Sequence, residues 1–221
     1  MIQQLLNPAV IGTIRGMDAD AQTAWLATTE GIAFSKIAGN SFIGILSAVI
    51  GGTLYFFGKG CDEQANALAL WRTDGTLAGT APVRTINANL SGNGPAYVGS
   101  AGARLVFVVD DGAHGSEPWT SDGTTEGTQL LADLASGTDG SDTSLTGVHV
   151  NDLLLFSANG VLHATDGTPS GTIALPNDPT SAHDTGIALL GGIAWFVAVD
   201  STGDSNRLWL RATDGTPAGT R

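Results

Sequence analysis

The sequence of 221 residues has a single cysteine, two lysines and little charge of any kind, Asp, Glu, Lys and Arg making up 14% of it. Cys61 has no second thiol to pair with, so an intrachain disulfide and a cysteine-rich zinc site are both excluded. Nine basic residues stand against 21 acidic ones, a net charge of −12. No basic patch can form to displace counterions from phosphates, which argues against nucleic acid and anionic membrane as partners. An acidic surface suits divalent cations, neutral sugars or a basic partner.

Long apolar runs are also scarce. Ser41 to Gly58, "SFIGILSAVIGGTLYFFG", has eighteen residues without a charge, near the minimum for a membrane-spanning helix. Gly51-Gly52 and the β-type residues around them favour two short buried strands, so no membrane insertion is expected. Met1-Ile2-Gln3-Gln4 has neither a basic start nor a long apolar run, so no secretory leader is expected, and the chain reads as a processed form or a segment of something larger. Signatures of catalysis are missing too. There is no G-x-S-x-G elbow and no G-x-x-x-x-G-K-[ST] loop, and His114, His149, His163 and His183 are dispersed. Lys59 is the one basic residue near Cys61, too little to mark a nucleophilic thiol.

What the sequence has is glycine, 31 residues of it, and a repeat. Asp74-Gly75-Thr76-Leu77-Ala78-Gly79-Thr80 recurs as Asp122 to Thr128, Asp166 to Thr172 and Asp214 to Thr220, with 48, 44 and 48 residues between the aspartates. A decayed copy, "AWLATTEGIAF" (Ala24 to Phe34), places Trp25 46 residues before Trp71. A period in the mid-forties points to an array or a propeller. Each unit reads as four short β-segments divided by Gly- or Asp-rich turns, as in "AYVGSA", "RLVFVVDD", "SEPWTSD" and "TQLLADL" (Ala96 to Leu134). Asn159-Gly160, between "LLLFSA" and "VLHATD", predicts a two-residue hairpin, because both residues tolerate positive φ. No amphipathic helix is expected. The fold class is therefore all-β, a single five-bladed propeller of four-stranded blades at about residues 1–40, 41–90, 91–136, 137–180 and 181–221. Packed radially, each blade covers its neighbours, and closing the circle removes the exposed end faces.

The last unit stops at Gly219-Thr220-Arg221, where its fourth strand should begin. Either Ile2–Leu6 supplies that strand, or Ile2–Leu6 opens the first blade and the missing strand comes from elsewhere. Spacing favours the second, which leaves an outer edge suited to strand addition and self-association.

The stretches Glu117 to Thr128 (E-P-W-T-S-D-G-T-T-E-G-T) and Leu70 to Thr80 (L-W-R-T-D-G-T-L-A-G-T) resemble the E-L-W-x-x-D-G-T-x-x-G-T repeats of large, mostly secreted bacterial proteins. The resemblance covers four of the five units. It departs from the pattern at Pro118, at His163 in place of Trp, at Trp209, displaced by two residues, and at Thr28-Thr29-Glu30. It implies an extracellular or cell-surface protein built from repeats and supplies no catalytic residues.

The repeated loop reads as scaffold. Asp74, Asp122, Asp166 and Asp214 can each accept the N–H groups of the turn they open. One carboxylate per loop falls short of the six to eight oxygens a calcium cage needs. As the alternative, these aspartates with Trp71, Trp119 and Trp209 would form ligand sites, the indoles serving as sugar platforms if exposed and as blade packing if buried. The turns between second and third strands gather acidic residues on one rim: Asp18 and Asp20, Asp62 and Glu63, Asp110 and Asp111 with His114 and Glu117, Asp200 and Asp204. Such turns carry function more often than strands do, although an acidic rim also serves plain solubility. No cofactor is required, and calcium at Asp110, Asp111 and Glu117 is the metal expectation. The inner strands carry no Asp or Glu, so a glycosidase pair is not expected at the centre, and His149 there reads as a hydrogen-bonded structural residue. The functional expectation is a non-enzymatic extracellular scaffold for adhesion or surface assembly. Alternatives are a five-bladed lectin that binds glycans and, last, a glycoside hydrolase.

Overall fold

A computed structural model describes residues 23–28, 31–36, 47–59, 67–74, 79–88, 94–141, 143–176, 187–200 and 207–221. The described residues hold strands and turns and no helix, and so no helix long and apolar enough to cross a membrane. The first sheet pairs β1 (Thr23–Thr28) with β2 (Gly31–Lys36), setting Trp25 opposite Phe34. Then come three four-stranded antiparallel sheets with strands in sequence order. They are β3 (Ser47–Ile50), β4 (Thr53–Lys59), β5 (Leu68–Thr73) and β6 (Ala81–Asn87); β7 (Tyr97–Ala101), β8 (Arg104–Asp110), β9 (Ser116–Ser121) and β10 (Gln129–Leu130); and β11 (Thr143–Val150), β12 (Leu153–Ala158), β13 (Val161–Thr165) and β14 (Ile173–Ala174). A fifth sheet orders β15 (Ala188–Leu190), β16 (Ile193–Asp200) and β17 (Arg207–Thr213). These sheets are blades of the propeller type.

Turn chemistry sets the registers. Asn159 and Gly160 take φ of 49° and 74° between β12 and β13, and Ala158 faces Val161, the hairpin that Asn-Gly predicts. The turn from β11 to β12 uses Asn151 and Asp152 at φ of 49° and 65°, with Val150 opposite Leu153. These are two of the few non-glycine residues that accept this region, because their short polar side chains bond locally. The uncharged run after Ser41 includes two antiparallel strands, β3 and β4, with Ile50 opposite Thr53 across Gly51-Gly52.

The fourth strand of the third unit is shorter than the expected "TQLLADL". It pairs Gln129 with Thr120 and Leu130 with Trp119 and then stops. The next partner is Pro118, which has no N–H to donate. Its carbonyl instead accepts the N–H of Leu131 at 2.9 Å. In the last unit Ala212 and Arg221 exchange both backbone bonds, at 2.9 and 3.0 Å, as the register Ala164–Ile173 does one unit earlier. Ile2–Leu6 lies outside the described residues.

The cores lie between blades. Each second strand presents a phenylalanine opposite the residue three positions before the loop aspartate: Phe56 opposite Trp71, Phe107 opposite Trp119, Phe156 opposite His163 and Phe196 opposite Arg211. Phe107 with Leu105 and Val109 packs on Phe57, Leu68 and Leu70 of the preceding blade. Phe156 with Leu154 packs on Val106 and Val108, and Phe196 with Ala194 on Leu155 and Leu162. Phe57 and Phe107 meet edge to face across the boundary, centroids 5.0 Å apart.

Candidate functional site

In the repeated loop the aspartate and threonine side chains bond chiefly to the loop itself. Asp122 Oδ1 accepts the N–H of Thr124 at 3.0 Å and its hydroxyl at 2.6 Å. The same hydroxyl oxygen accepts the Gly127 N–H at 2.9 Å. Ser121 Oγ accepts the Gly123 N–H and bonds Thr128 Oγ1, whose own proton goes to the Thr124 carbonyl. Asp166 and Asp214 repeat the arrangement with Thr168 and Thr216. The threonine hydroxyl, and after it the threonine N–H, hold all three carboxyls below the usual aspartate range.

The second glycine of the motif exists to admit this carboxylate. A Cβ on Gly127 would lie 1.9–2.2 Å from the Asp122 carboxylate, and Gly79, Gly171 and Gly219 face Asp74, Asp166 and Asp214 in the same way. Backbone conformation does not demand it, since Gly127 is absent from the positive-φ glycines. Gly127→Ala is therefore expected to cost about 2 kcal/mol, the worth of two charge-assisted hydrogen bonds at a solvated site. In Asp122→Ala the same glycine substitution becomes nearly neutral, a coupling that a double-mutant cycle by urea unfolding reads directly. Additive costs would contradict this role for the glycine.

The first glycine docks on the preceding blade. A Cβ on Gly123 would fall 2.2 Å from the Tyr55 hydroxyl, and one on Gly167 would fall 3.1 Å from the Ala101 carbonyl. Gly215 faces Leu153 and the Val150 carbonyl in the same way. Cross-blade hydrogen bonds accompany these contacts. Thr120 donates to the Gly167 carbonyl at 2.6 Å, Thr125 to the Val83 carbonyl at 2.7 Å, and Asn151 to the Asp214 carbonyl at 3.1 Å. Arg84 donates to the Thr128 carbonyl while its guanidinium lies over the Trp119 ring at 5.8 Å. Within the third blade itself, Arg104 reaches Asp122 at 3.4 Å. The loop is thus the joint between blades.

The tryptophans separate. Trp71 and Trp119 are buried, at 9% and 5% exposed, and no sugar can stack on them, whereas Trp209 is 51% exposed. His163, in the tryptophan position of its unit, is stacked on Phe156, and burial pushes its imidazole below the usual range. His149 bonds the Ser100 carbonyl of the neighbouring inner strand.

The three residues expected to hold calcium have separate duties. Glu117 is fully buried, and its carboxylate accepts the N–H groups of Leu134 and Ala135, at 3.2 and 2.9 Å, and the Ser141 hydroxyl at 2.7 Å. Asp110 Oδ1 accepts the Gly112 N–H at 2.7 Å. Asp111 Oδ1 accepts the N–H groups of Ala113 and His114, at 2.9 and 2.8 Å. No group of three or more His, Cys, Asp or Glu is placed to hold a metal among the described residues. Asp18, Asp20, Cys61, Asp62, Glu63, His183 and Asp204 lie outside the described residues, and Asp200 ends β16.

What the turn between β8 and β9 does assemble is a carboxylate–imidazole pair. Asp111 Oδ2 lies 2.7 Å from His114 Nδ1, the carboxylate nearly buried and the ring 41% exposed. The acceptor-only carboxylate puts the proton on Nδ1 and leaves Nε2 as the nitrogen that Asp111 does not engage. The hydrogen bond and charge of Asp111, with Asp133 and Glu117 adding to them, raise the His114 pKa. Burial pushes Asp111 up, but the His114 N–H, its ring and the Ala113 N–H together bring the carboxyl below its usual range. The raised histidine contributes stability that is complete below its unfolded value, near 6.5, and is lost as pH rises through the folded value. The lowered aspartate contributes above about 4 and loses its share as pH falls. Hydrogen exchange of the Ala113 and His114 amides is accordingly expected to be slowest, after correction for intrinsic rates, at about pH 5–6 and to accelerate above that window. Protection unchanged up to pH 8 would contradict the pairing.

No family model matches the chain, and no curated protein matches it. Solved structures do. A puromycin hydrolase (S511A mutant complexed with PGG) is 14% identical at a TM-score of 0.45, over 85% of this chain and 30% of that one. An α-L-arabinofuranosidase from Clostridium thermocellum is 13% identical at 0.32, over 80% and 70%. An exo-β-1,3-galactanase from Phanerochaete chrysosporium with β-1,3-galactotriose is 13% identical at 0.34, over 86% and 51%. This chain thus spans 30% of the hydrolase and about half of the galactanase. These solved structures are hydrolases and none is a scaffold or adhesion protein, so the expectation of a non-enzymatic scaffold for adhesion or surface assembly is corrected and not retained. At such identities and TM-scores the likeness establishes no enzymatic activity for this chain.

Proposed function

We propose that the chain is a carbohydrate-binding propeller that holds a neutral sugar at the turn between β8 and β9. The observation that carries this reading is the Asp111–His114 pair, a half-exposed imidazole fixed in orientation by a nearly buried carboxylate. A sugar hydroxyl both donates and accepts. Nε2 can meet it in either role as the ring titrates, and Asp111 keeps the ring from collapsing onto the surface. The ordering cost of the side chain is met before the ligand arrives, which favours affinity. With a net charge of −12 the surface repels sulfated and other polyanionic glycans, so the ligand class is neutral. A glycan array probed in calcium and again in chelator is expected to show a neutral glycan bound in both, because the carboxylates of this turn are spent on hydrogen bonds. The signal disappears in His114→Ala. A blank array, or a signal indifferent to that substitution, would overturn the reading.

A further inference from the structure

We infer that Asn87, supplied by the neighbouring blade, is a positioning residue for the turn that carries Asp111 and His114. The inference takes from the carbohydrate reading only what the turn binds. Asn87 is the last residue of β6, one blade before the turn, and is 5% exposed. Its side-chain amide donates to the Asp110 carbonyl at 3.0 Å, at the root of the turn. Gly112, at φ of 84°, packs against that amide, where a Cβ would make van der Waals contact at 3.4 Å with both its nitrogen and its oxygen. Asp110 then caps Gly112 and Asp111 caps Ala113 and His114, so the Asp110 carbonyl fixes where the whole series begins. The far end is held within the third and fourth units. A Cβ on Gly115 would fall 2.4 Å from the Gly140 nitrogen, and the Ser141 N–H donates to the Ser116 carbonyl at 3.0 Å. With one end of the turn held by its own sheet and connector, the bond from Asn87 ties the direction of the His114 ring to the seating of one blade on the next.

The test reads His114 directly and needs no ligand. A proton NMR titration of its ring in the full chain is expected to give a midpoint above that of an unpartnered histidine, set by Asp111 with Asp133 and Glu117. In Asn87→Ala the turn relaxes and the midpoint falls by about half a pH unit or more as the pairing loosens. Asn87→Ser, which keeps a donor, falls less and serves if the alanine variant folds poorly. Ile86→Ala removes core packing from the same strand while leaving the side-chain hydrogen bonds of the turn intact, and leaves the midpoint in place. A midpoint unmoved by both Asn87 substitutions, or moved equally by Ile86→Ala, would overturn the assignment. A blank glycan array would sink the carbohydrate reading and leave this result standing.

Discussion

Phe156→Ala is expected to lower the unfolding free energy by about 3–5 kcal/mol, the range for deleting a fully buried aromatic ring. Phe156 is 0% exposed, lies between the third and fourth blades with Val106, Val108 and Leu154, and stacks on His163 with centroids 5.0 Å apart. Alanine leaves a cavity walled by two sheets whose spacing other contacts fix, among them the Thr120–Gly167 bond, so the site collapses only partly around it. Phe156→Leu, which retains most of the apolar volume, should cost less than half as much. Urea unfolding of the full chain measures both. Equal costs, or a cost under about 1 kcal/mol for alanine, would place the core elsewhere than between blades.

Glu117→Ala is the second large effect, also at about 3–5 kcal/mol, because it removes a fully buried carboxylate and leaves two backbone N–H groups and a buried hydroxyl without their acceptor. The buried carboxylate carries the connector from the third blade to the fourth, accepting from Leu134, Ala135 and Ser141. Glu117→Gln keeps one acceptor oxygen and turns an NH2 toward a donor, so its cost falls between wild type and alanine. Calcium should restore neither variant, and calcium-dependent stabilisation of the wild type through this residue would contradict its structural role.

Much of the fold was legible because the loop advertises itself. Asp, Thr and the second Gly stand at fixed offsets since they contact one another within seven residues, and local chemistry of that kind survives in sequence as a motif. The phenylalanine of the second strand is as regular in space and was missed. Phe56, Phe107, Phe156 and Phe196 stand 18, 15, 10 and 18 residues before their loop aspartates, because the turn between second and third strands varies in length. Registers hidden by such turns appear only when the strands pair. The Asn151-Asp152 turn carried a signal of the same kind as Asn159-Gly160, two residues that tolerate positive φ, and could have been read from it.

The site was less legible. Asp110, Asp111 and Glu117 looked like one acidic group because sequence shows spacing and not the destination of a side chain. Glu117 alternates inward on β9 to donors 17, 18 and 24 residues away, while Asp111 stays at the turn and takes His114 as its partner. Trp71 and Trp119 were equally ambiguous, since an indole on a strand is platform or packing according to which face the next blade covers.

The most direct test of the account is calorimetric titration of the best neutral glycan from the array into wild type, His114→Ala and Asp122→Asn. The account predicts a loss of about tenfold or more in affinity, roughly 1.4 kcal/mol, for His114→Ala, and an unchanged affinity for Asp122→Asn, since the repeated loop joins blades. Affinity lost at Asp122 and kept at His114 would make the repeated loop the binding site and contradict the account.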